Sequence, residues 1–273
     1  MKKGIVACVR QNVPLVHNIT NYVTVNDVAN ILLACGGSPI MADDEDEVED
    51  ITTICAALNI NIGTLNQRTI RSMKKAGKRA NALGHITILD PVGAGASTLR
   101  TTTAKSLLDQ VKFTVIRGNV SELKALYGKA ANTKGVDADV ADSVTEENID
   151  EMAAFAKDFS KKTGSVIAMT GAIDVVADAN TAYIIRNGKP IMSKITGTGC
   201  MLSGVVAAYC AANADAPLDA AAAAVAAMGL CGEIAFERLQ GQDGTSSFRT
   251  YLIDAMSNLT DKILEEGMKI EVR

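Results

Sequence analysis

The chain of 273 residues contains no tryptophan, and only 4% of it is aromatic. Proteins that hold single-stranded nucleic acid stack bases on aromatic side chains, so that class lacks its working surface. Basic residues are not in excess: 27 Lys and Arg against 31 Asp and Glu leave a formal charge of −4, with no basic stripe. A nucleic-acid partner is therefore not expected. The two histidines, His17 and His85, lie far apart, and the six cysteines form no Cys-x-x-Cys. A structural zinc site is not expected, and each histidine reads as a hydrogen-bonded structural residue. Long apolar runs are also scarce. Ile195–Ala214 is interrupted by Thr, Gly, Ser and Asn, and Ala220–Gly232 is short and mostly alanine. Both read as buried helices, not membrane spans. Met1–Arg10 has neither an apolar core nor a small-residue cleavage site, so the expected location is cytoplasmic. Free thiols, mostly in the core, are expected there.

Apolar residues are plentiful, at 48%, which supports a sizeable core. Short runs at Leu15–His17, Pro39–Met41, Asn59–Ile62, Ile86–Leu89, Phe113–Ile116, Ser165–Met169, Val175–Ala177 and Ala182–Ile185 read as strands. Helical patterns lie between them. Val25, Val28, Ala29 and Leu32 share one helix face, stopped by Gly36-Gly37. Asn66–Leu83, Ser121–Tyr127, Glu146–Lys161, Cys200–Asn213, Leu218–Arg238 and Phe248–Glu265 are further helices. Such alternation predicts an α/β fold, a mostly parallel sheet with helices on both faces, in one domain over 1–273. The last two strands predict a hairpin around Asp178-Ala179-Asn180. The acidic run Asp43–Asp50 reads as a solvated loop entering a helix, and 129–143 as an exposed connection.

Ligands of such sheets sit beyond the carboxyl ends of the strands. The residues there are Asp90-Pro91-Val92-Gly93-Ala94-Gly95, Arg117-Gly118-Asn119 with Glu122, Thr170-Gly171, and Gly197-Thr198-Gly199-Cys200 opening an apolar helix. No segment fits the Walker A pattern, and Gly93-Ala94-Gly95 lacks the third glycine of a dinucleotide fingerprint. Gly197–Cys200 reads either as a tight turn with a core cysteine or as an anion hole. In the second case, unpaired backbone N–H groups of a helix N-terminus face a phosphate.

The ordered set of His17-Asn18-Ile19-Thr20-Asn21, Pro39-Ile40-Met41-Ala42, Asn61-Ile62-Gly63-Thr64-Leu65, Asp90–Gly95, Arg117–Glu122, Thr170-Gly171 and Gly197–Cys200 resembles the hydroxyethylthiazole kinase family, of the ribokinase-like superfamily. It covers about Asn12 to Leu259. The resemblance implies a ribokinase-like three-layer sandwich. It also implies ATP-dependent, Mg²⁺-dependent phosphorylation of the hydroxyl of 4-methyl-5-(2-hydroxyethyl)thiazole, in thiamine salvage. A homotrimer with sites near subunit contacts is implied as well. Matched residue by residue, Cys200 is the catalytic position, where the wider superfamily carries Asp. Arg117 and Thr170 match ATP-binding positions. Met41 and Gly197 match substrate-binding positions, joined by Asn21, and Asp90 and Glu122 the metal positions. Gly197, Thr198, Gly199 and Cys200 form the implied anion hole. Cys200 would accept or orient the hydroxyl proton; a helix N-terminus lowers a thiol pKa, which allows a thiolate there, though positioning alone would serve phosphoryl transfer. Another small-alcohol kinase of the same superfamily, or a silent binder of a thiamine precursor, are the rival readings.

Overall fold

Valine, isoleucine and leucine runs flanked by amphipathic helices build the alternation directly. The first half carries α1 (Ile5–Asn12), β1 (Leu15–Ile19), α2 (Val25–Cys35), β2 (Ser38–Met41), α3 (Val48–Ile54), β3 (Ala57–Asn61), α4 (Gln67–Leu83), β4 (Ile86–Asp90), α5 (Thr98–Gln110), β5 (Val115–Asn119) and α6 (Val120–Tyr127). A short antiparallel pair follows, β6 (Thr133–Lys134) and β7 (Asp137–Ala138). Next come α7 (Ile149–Thr163), β8 (Val166–Thr170), β9 (Asp174–Ala177), β10 (Ala182–Ile185), α8 (Thr198–Ala212), α9 (Pro217–Arg238), α10 (Thr245–Asn258), α11 (Asp261–Gly267) and β11 (Ile270–Val272). This computed structural model describes residues 1–128 and 143–273, together with the backbone of β6 and β7. The connection expected over 129–143 otherwise lies, but for Ser143, outside the described residues.

The nine-stranded sheet runs β11-β10-β9-β8-β5-β4-β3-β1-β2. Pairings from β2 across to β8 are all parallel, and those among β8, β9, β10 and β11 antiparallel. Parallel strands are buried on both faces, and the central ones are accordingly buried along most of their length. Val28, Leu32, Val205, Tyr209 and Phe248 fill one side of the sheet. Met73, Leu107, Leu123 and Phe159 fill the other. The result is three layers.

Local signals explain most boundaries. Gly36 ends α2 at φ +97°, in the left-handed region glycine adopts at little cost. Asn66 opens α4 with a capping box to Thr69. Asp178 Oδ1 accepts from the N–H groups of Asn180 and Thr181, which closes the β9–β10 hairpin. The acidic run does lead into a helix, α3. Its carboxylates are also paired across to α4, through Arg68 with Asp43 and Asp44, Arg71 with Glu45, and Lys75 with Glu49. His17 meets Thr52 Oγ1 and the Ala42 carbonyl, each at 2.9 Å. His85 is half-buried and hydrogen-bonds the Thr52 backbone, while its Nδ1 is buried without a partner. Cys8 is only half-buried, whereas the other five cysteines are buried.

Several elements differ from the sequence reading, the β6–β7 pair among them. The helix expected over Phe248–Glu265 is two, broken at Leu259, with Thr260 Oγ1 capping Ile263 N–H of the second. Helices α1 and α5 and the edge strand β11 were not expected. Among the described residues, α9 is long and apolar enough to cross a membrane, but 83% of its most apolar window is buried inside the protein. What matters for chemistry is the common edge. Strands β3, β4, β5 and β8 end there at Asn61, Asp90, Asn119 and Thr170, and Asn61 sits in register beside Asp90.

Candidate active site

Helix α8 begins on Gly197, whose φ is +91°. A Cβ there would lie 2.6 Å from Cγ2 of Thr24, so the turn requires glycine twice over. The N–H groups of Thr198, Gly199 and Cys200 belong to the first turn and have no carbonyl within the helix to bind. Gly199 faces Arg117: a Cβ at position 199 would lie 2.6 Å from Nη2 and 2.7 Å from Nη1. A guanidinium therefore rests against the positive end of a helix dipole. Two positive features sharing one space make a site for an anion.

Arg117 comes from β5 and is part-buried, its side chain 12% exposed. Its Nη2 donates to Thr170 Oγ1 at 2.8 Å and its Nη1 to Asp90 Oδ1 at 3.3 Å, while Nε is buried without a partner. Asp90 is fully buried. Its Oδ2 accepts from Asn61 Nδ2 at 2.7 Å and from Ser203 Oγ at 2.8 Å. Burial pushes its carboxyl up, against the pull of Arg117 and of these hydrogen bonds.

Cys200 lies beside this carboxylate, 8% exposed. Its Sγ accepts from Asn21 Nδ2 and Asn61 Nδ2, each at 3.2 Å. The expectation of a lowered thiol pKa is corrected here. Burial, and then the charge of Asp90, push the thiol up, and hydrogen bonds from Thr24 and Asn21 together with Arg117 only partly oppose them. At neutral pH the group is a thiol.

Glu122 caps α6. Its Oε2 accepts from Asn119 N–H at 2.9 Å and its Oε1 from Gly93 N–H at 2.8 Å, tying the glycine loop after β4 to the helix start. Burial, and then the Asp90 charge, raise its pKa to about 7. A buried carboxylate raised by the charge of a second one is a place where a cation relieves repulsion. Both are hard oxygen donors, which suits Mg²⁺. Among the described residues no group of three His, Cys, Asp or Glu gathers to hold a metal. Asp90 and Glu122 thus fit an ion that keeps most of its waters.

A cavity of about 460 Å³ opens beside Arg117, Thr170, Thr198 and Gly199. Its far wall is the loop Asn187–Lys189 and helix α9 at Met228 and Gly229. Gly188 N–H donates to buried Glu233 Oε1 at 2.9 Å, which holds that loop.

The fold brings together Asn21, Asp90, Arg117, Glu122, Thr170 and Gly197–Cys200. It does not bring Met41 to the cavity: Met41 ends β2, part-buried against the core. Sequence reasoning passed over Asn61, Ser203 and Asp174. Asn61 stood in a quoted motif at a strand end, and Ser203 lies one turn beyond Gly199 on α8. Asp174 lines the cavity and accepts from Gly171 N–H at 2.8 Å, with burial raising its pKa to about 7. Its signal was a lone acid in an apolar hairpin strand.

Comparison with known proteins agrees with this geometry. A sequence model of the Hydroxyethylthiazole kinase family matches residues 6–262. A hydroxyethylthiazole kinase of Clostridium acetobutylicum is 63% identical over 263 residues, 96% of each chain. The solved structure of a hydroxyethylthiazole kinase from Pyrococcus horikoshii superposes with a TM-score of 0.86 at 34% identity, over 98% of this chain and 97% of that one. A pyridoxal kinase from Staphylococcus aureus has a TM-score of 0.62 at 14% identity, over 95% and 97%, and so shares the ribokinase-like fold alone. With the family match spanning nearly its whole length, the chain belongs to the hydroxyethylthiazole kinase family.

Proposed function

We propose that this protein transfers the γ-phosphoryl group of ATP to the hydroxyl of 4-methyl-5-(2-hydroxyethyl)thiazole, a salvage step toward thiamine, with residues 1–273 acting as one kinase domain. The observation that carries this reading is the convergence of Arg117 and the N-terminus of α8 beside Cys200. Phosphoryl transfer is catalysed mainly by positioning and by stabilising charge on the phosphoryl oxygens. The guanidinium of Arg117 and the N–H groups of Thr198, Gly199 and Cys200 supply that charge from fixed positions, without reorganisation.

ATP occupies the cavity, with Arg117 and Thr170 at its phosphate end. Asp90 and Glu122 would hold Mg²⁺, and the ion when bound would neutralise charge on the phosphate oxygens. Cys200 is a thiol, so it orients the acceptor hydroxyl more than it removes its proton. Asn21 and Gly197 border the acceptor, and Met41, at the end of β2 and outside the cavity, is assigned to the acceptor by the resemblance. A homotrimer with sites near subunit contacts is part of the same reading. Tyr22 and Val23, directly after Asn21, are 78% and 57% exposed and apolar, as an interface residue would be. A cytoplasmic location suits six free thiols.

The test is product formation with Mg-ATP and three acceptors: the thiazole, hydroxymethylpyrimidine and ribose. The reading predicts ADP and thiazole phosphate in equal amounts. Product from the pyrimidine or ribose alone would overturn the substrate while leaving the phosphate site.

A further inference from the structure

Asn61 stands between the two halves of the site, and every hydrogen-bonding valence of its side chain is used. One Nδ2–H goes to Asp90 Oδ2 at 2.7 Å and the other to Cys200 Sγ at 3.2 Å. Oδ1 accepts from Asn21 Nδ2 at 3.0 Å and from Gly63 N–H at 2.9 Å. The amide can sit only this way round. Turned over, its oxygen would face the carboxylate and its NH₂ would face two donors. The residue is 1% exposed, so water cannot stand in for a lost bond. Its backbone is held as firmly, because it ends β3 in register with Asp90.

We infer that Asn61 is a positioning residue for the transfer step: one amide nitrogen ties the Asp90 carboxylate to the Cys200 sulfur and holds the phosphate side and the acceptor side of the site in one register. This rests on the phosphotransfer reading above. The amide of Asn21 completes the arrangement, since its own second N–H reaches the same sulfur. Asn21 and Asn61 donate to the Cys200 sulfur, and the Thr24 hydroxyl also reaches it, so the sulfur is fixed from three sides. Ser203 reaches Asp90 Oδ2 but has no bond to the sulfur, so the tie is specific to Asn61.

The test uses the full chain with Mg-ATP and the thiazole. Asn61→Asp keeps the shape and replaces the shared donor by an acceptor. It should lower kcat roughly 10- to 100-fold, the size expected when a reacting group is misplaced. KM for ATP should stay within about threefold, because the cavity wall is untouched. The second readout does not need turnover: the alkylation rate of Cys200 by iodoacetamide, followed by peptide mass, with half-buried Cys8 as internal reference. Loss of the donor withdraws support from the sulfur anion, so the Cys200 rate should fall at least about threefold while the Cys8 rate holds. Ser203→Ala should leave the Cys200 rate unchanged. Either readout at its wild-type value in a folded Asn61→Asp chain overturns the positioning role. A variant without a thermal unfolding transition moves the same two criteria to Asn61→Ser. A wild-type chain that makes no thiazole phosphate counts against the proposed function, and the alkylation readout then still decides whether Asn61 supports the sulfur.

Discussion

The Arg117 guanidinium lies against the backbone of Gly199 so closely that a Cβ there would fall 2.6 Å from Nη2. No side chain can be inserted without moving the arginine from Thr170 and Asp90. Gly199→Val should therefore lower kcat/KM for ATP at least about 100-fold, the cost of removing an oxyanion donor set. Initial rates of ADP formation check this. A variant within a few-fold of wild type would take both Arg117 and the helix N-terminus out of the phosphate site.

Cys200 should be slow to alkylate at neutral pH. Burial and Asp90 raise its pKa, so less thiolate is present than in a free cysteine. Iodoacetamide should modify it more slowly than a reference thiol peptide at pH 7, and a faster reaction would restore the thiolate. Cys200→Ala should keep measurable turnover, down roughly 10- to 100-fold, because positioning and charge carry most of the catalysis. Complete loss would make the thiol's proton transfer essential.

Asp174 makes stability depend on pH in a defined direction. Its carboxyl is raised from 3.8 to about 7 in the folded chain, chiefly by burial. The folded state then binds the proton more tightly than the unfolded one. Its stabilising contribution is complete below about pH 4 and is lost as pH rises to about 7, by roughly 2–4 kcal/mol. Glu122, also raised to about 7, acts with the same sign. Asp174→Asn keeps an acceptor for Gly171 N–H and should flatten the decline in Tm between pH 5 and pH 7. An unchanged slope would mean that Asp174 is ionised throughout.

Met41 lies outside the cavity that Arg117 and Thr170 border. Met41→Ala should raise KM for the thiazole roughly tenfold, the value of an apolar contact of that size, and leave KM for ATP unchanged. A rise in KM for ATP instead would place Met41 on the nucleotide.

The legible part of the fold was its periodic part. All eight expected strands lie within a few residues of the observed ones, because short, largely apolar runs bounded by polar turns mark the strands of a buried sheet. Elements without such a constraint were hidden. Helix α5 is threonine-rich with a weak apolar face, and β11 is a three-residue edge strand. Nothing in Phe248–Glu265 announces a stop at Leu259, where the break is made by the Thr260 cap. In the site, strand-end position pointed to Asp90, Arg117 and Thr170, since it is a local property. The Asn61 bridge depends on where β3, β4 and α8 converge, and the rise in the Cys200 pKa on burial beside Asp90. Neither is written in local spacing.

The central claim is that phosphoryl oxygens sit between Arg117 and the first turn of α8 with the acceptor hydroxyl at Cys200. The most direct measurement is a crystal structure with a non-hydrolysable ATP analogue, Mg²⁺ and the thiazole. The account predicts phosphoryl oxygens within about 3 Å of the N–H groups of Gly199 and Cys200, and the thiazole hydroxyl beside the Cys200 sulfur. A terminal phosphate away from α8, or a thiazole hydroxyl away from Cys200, would contradict it.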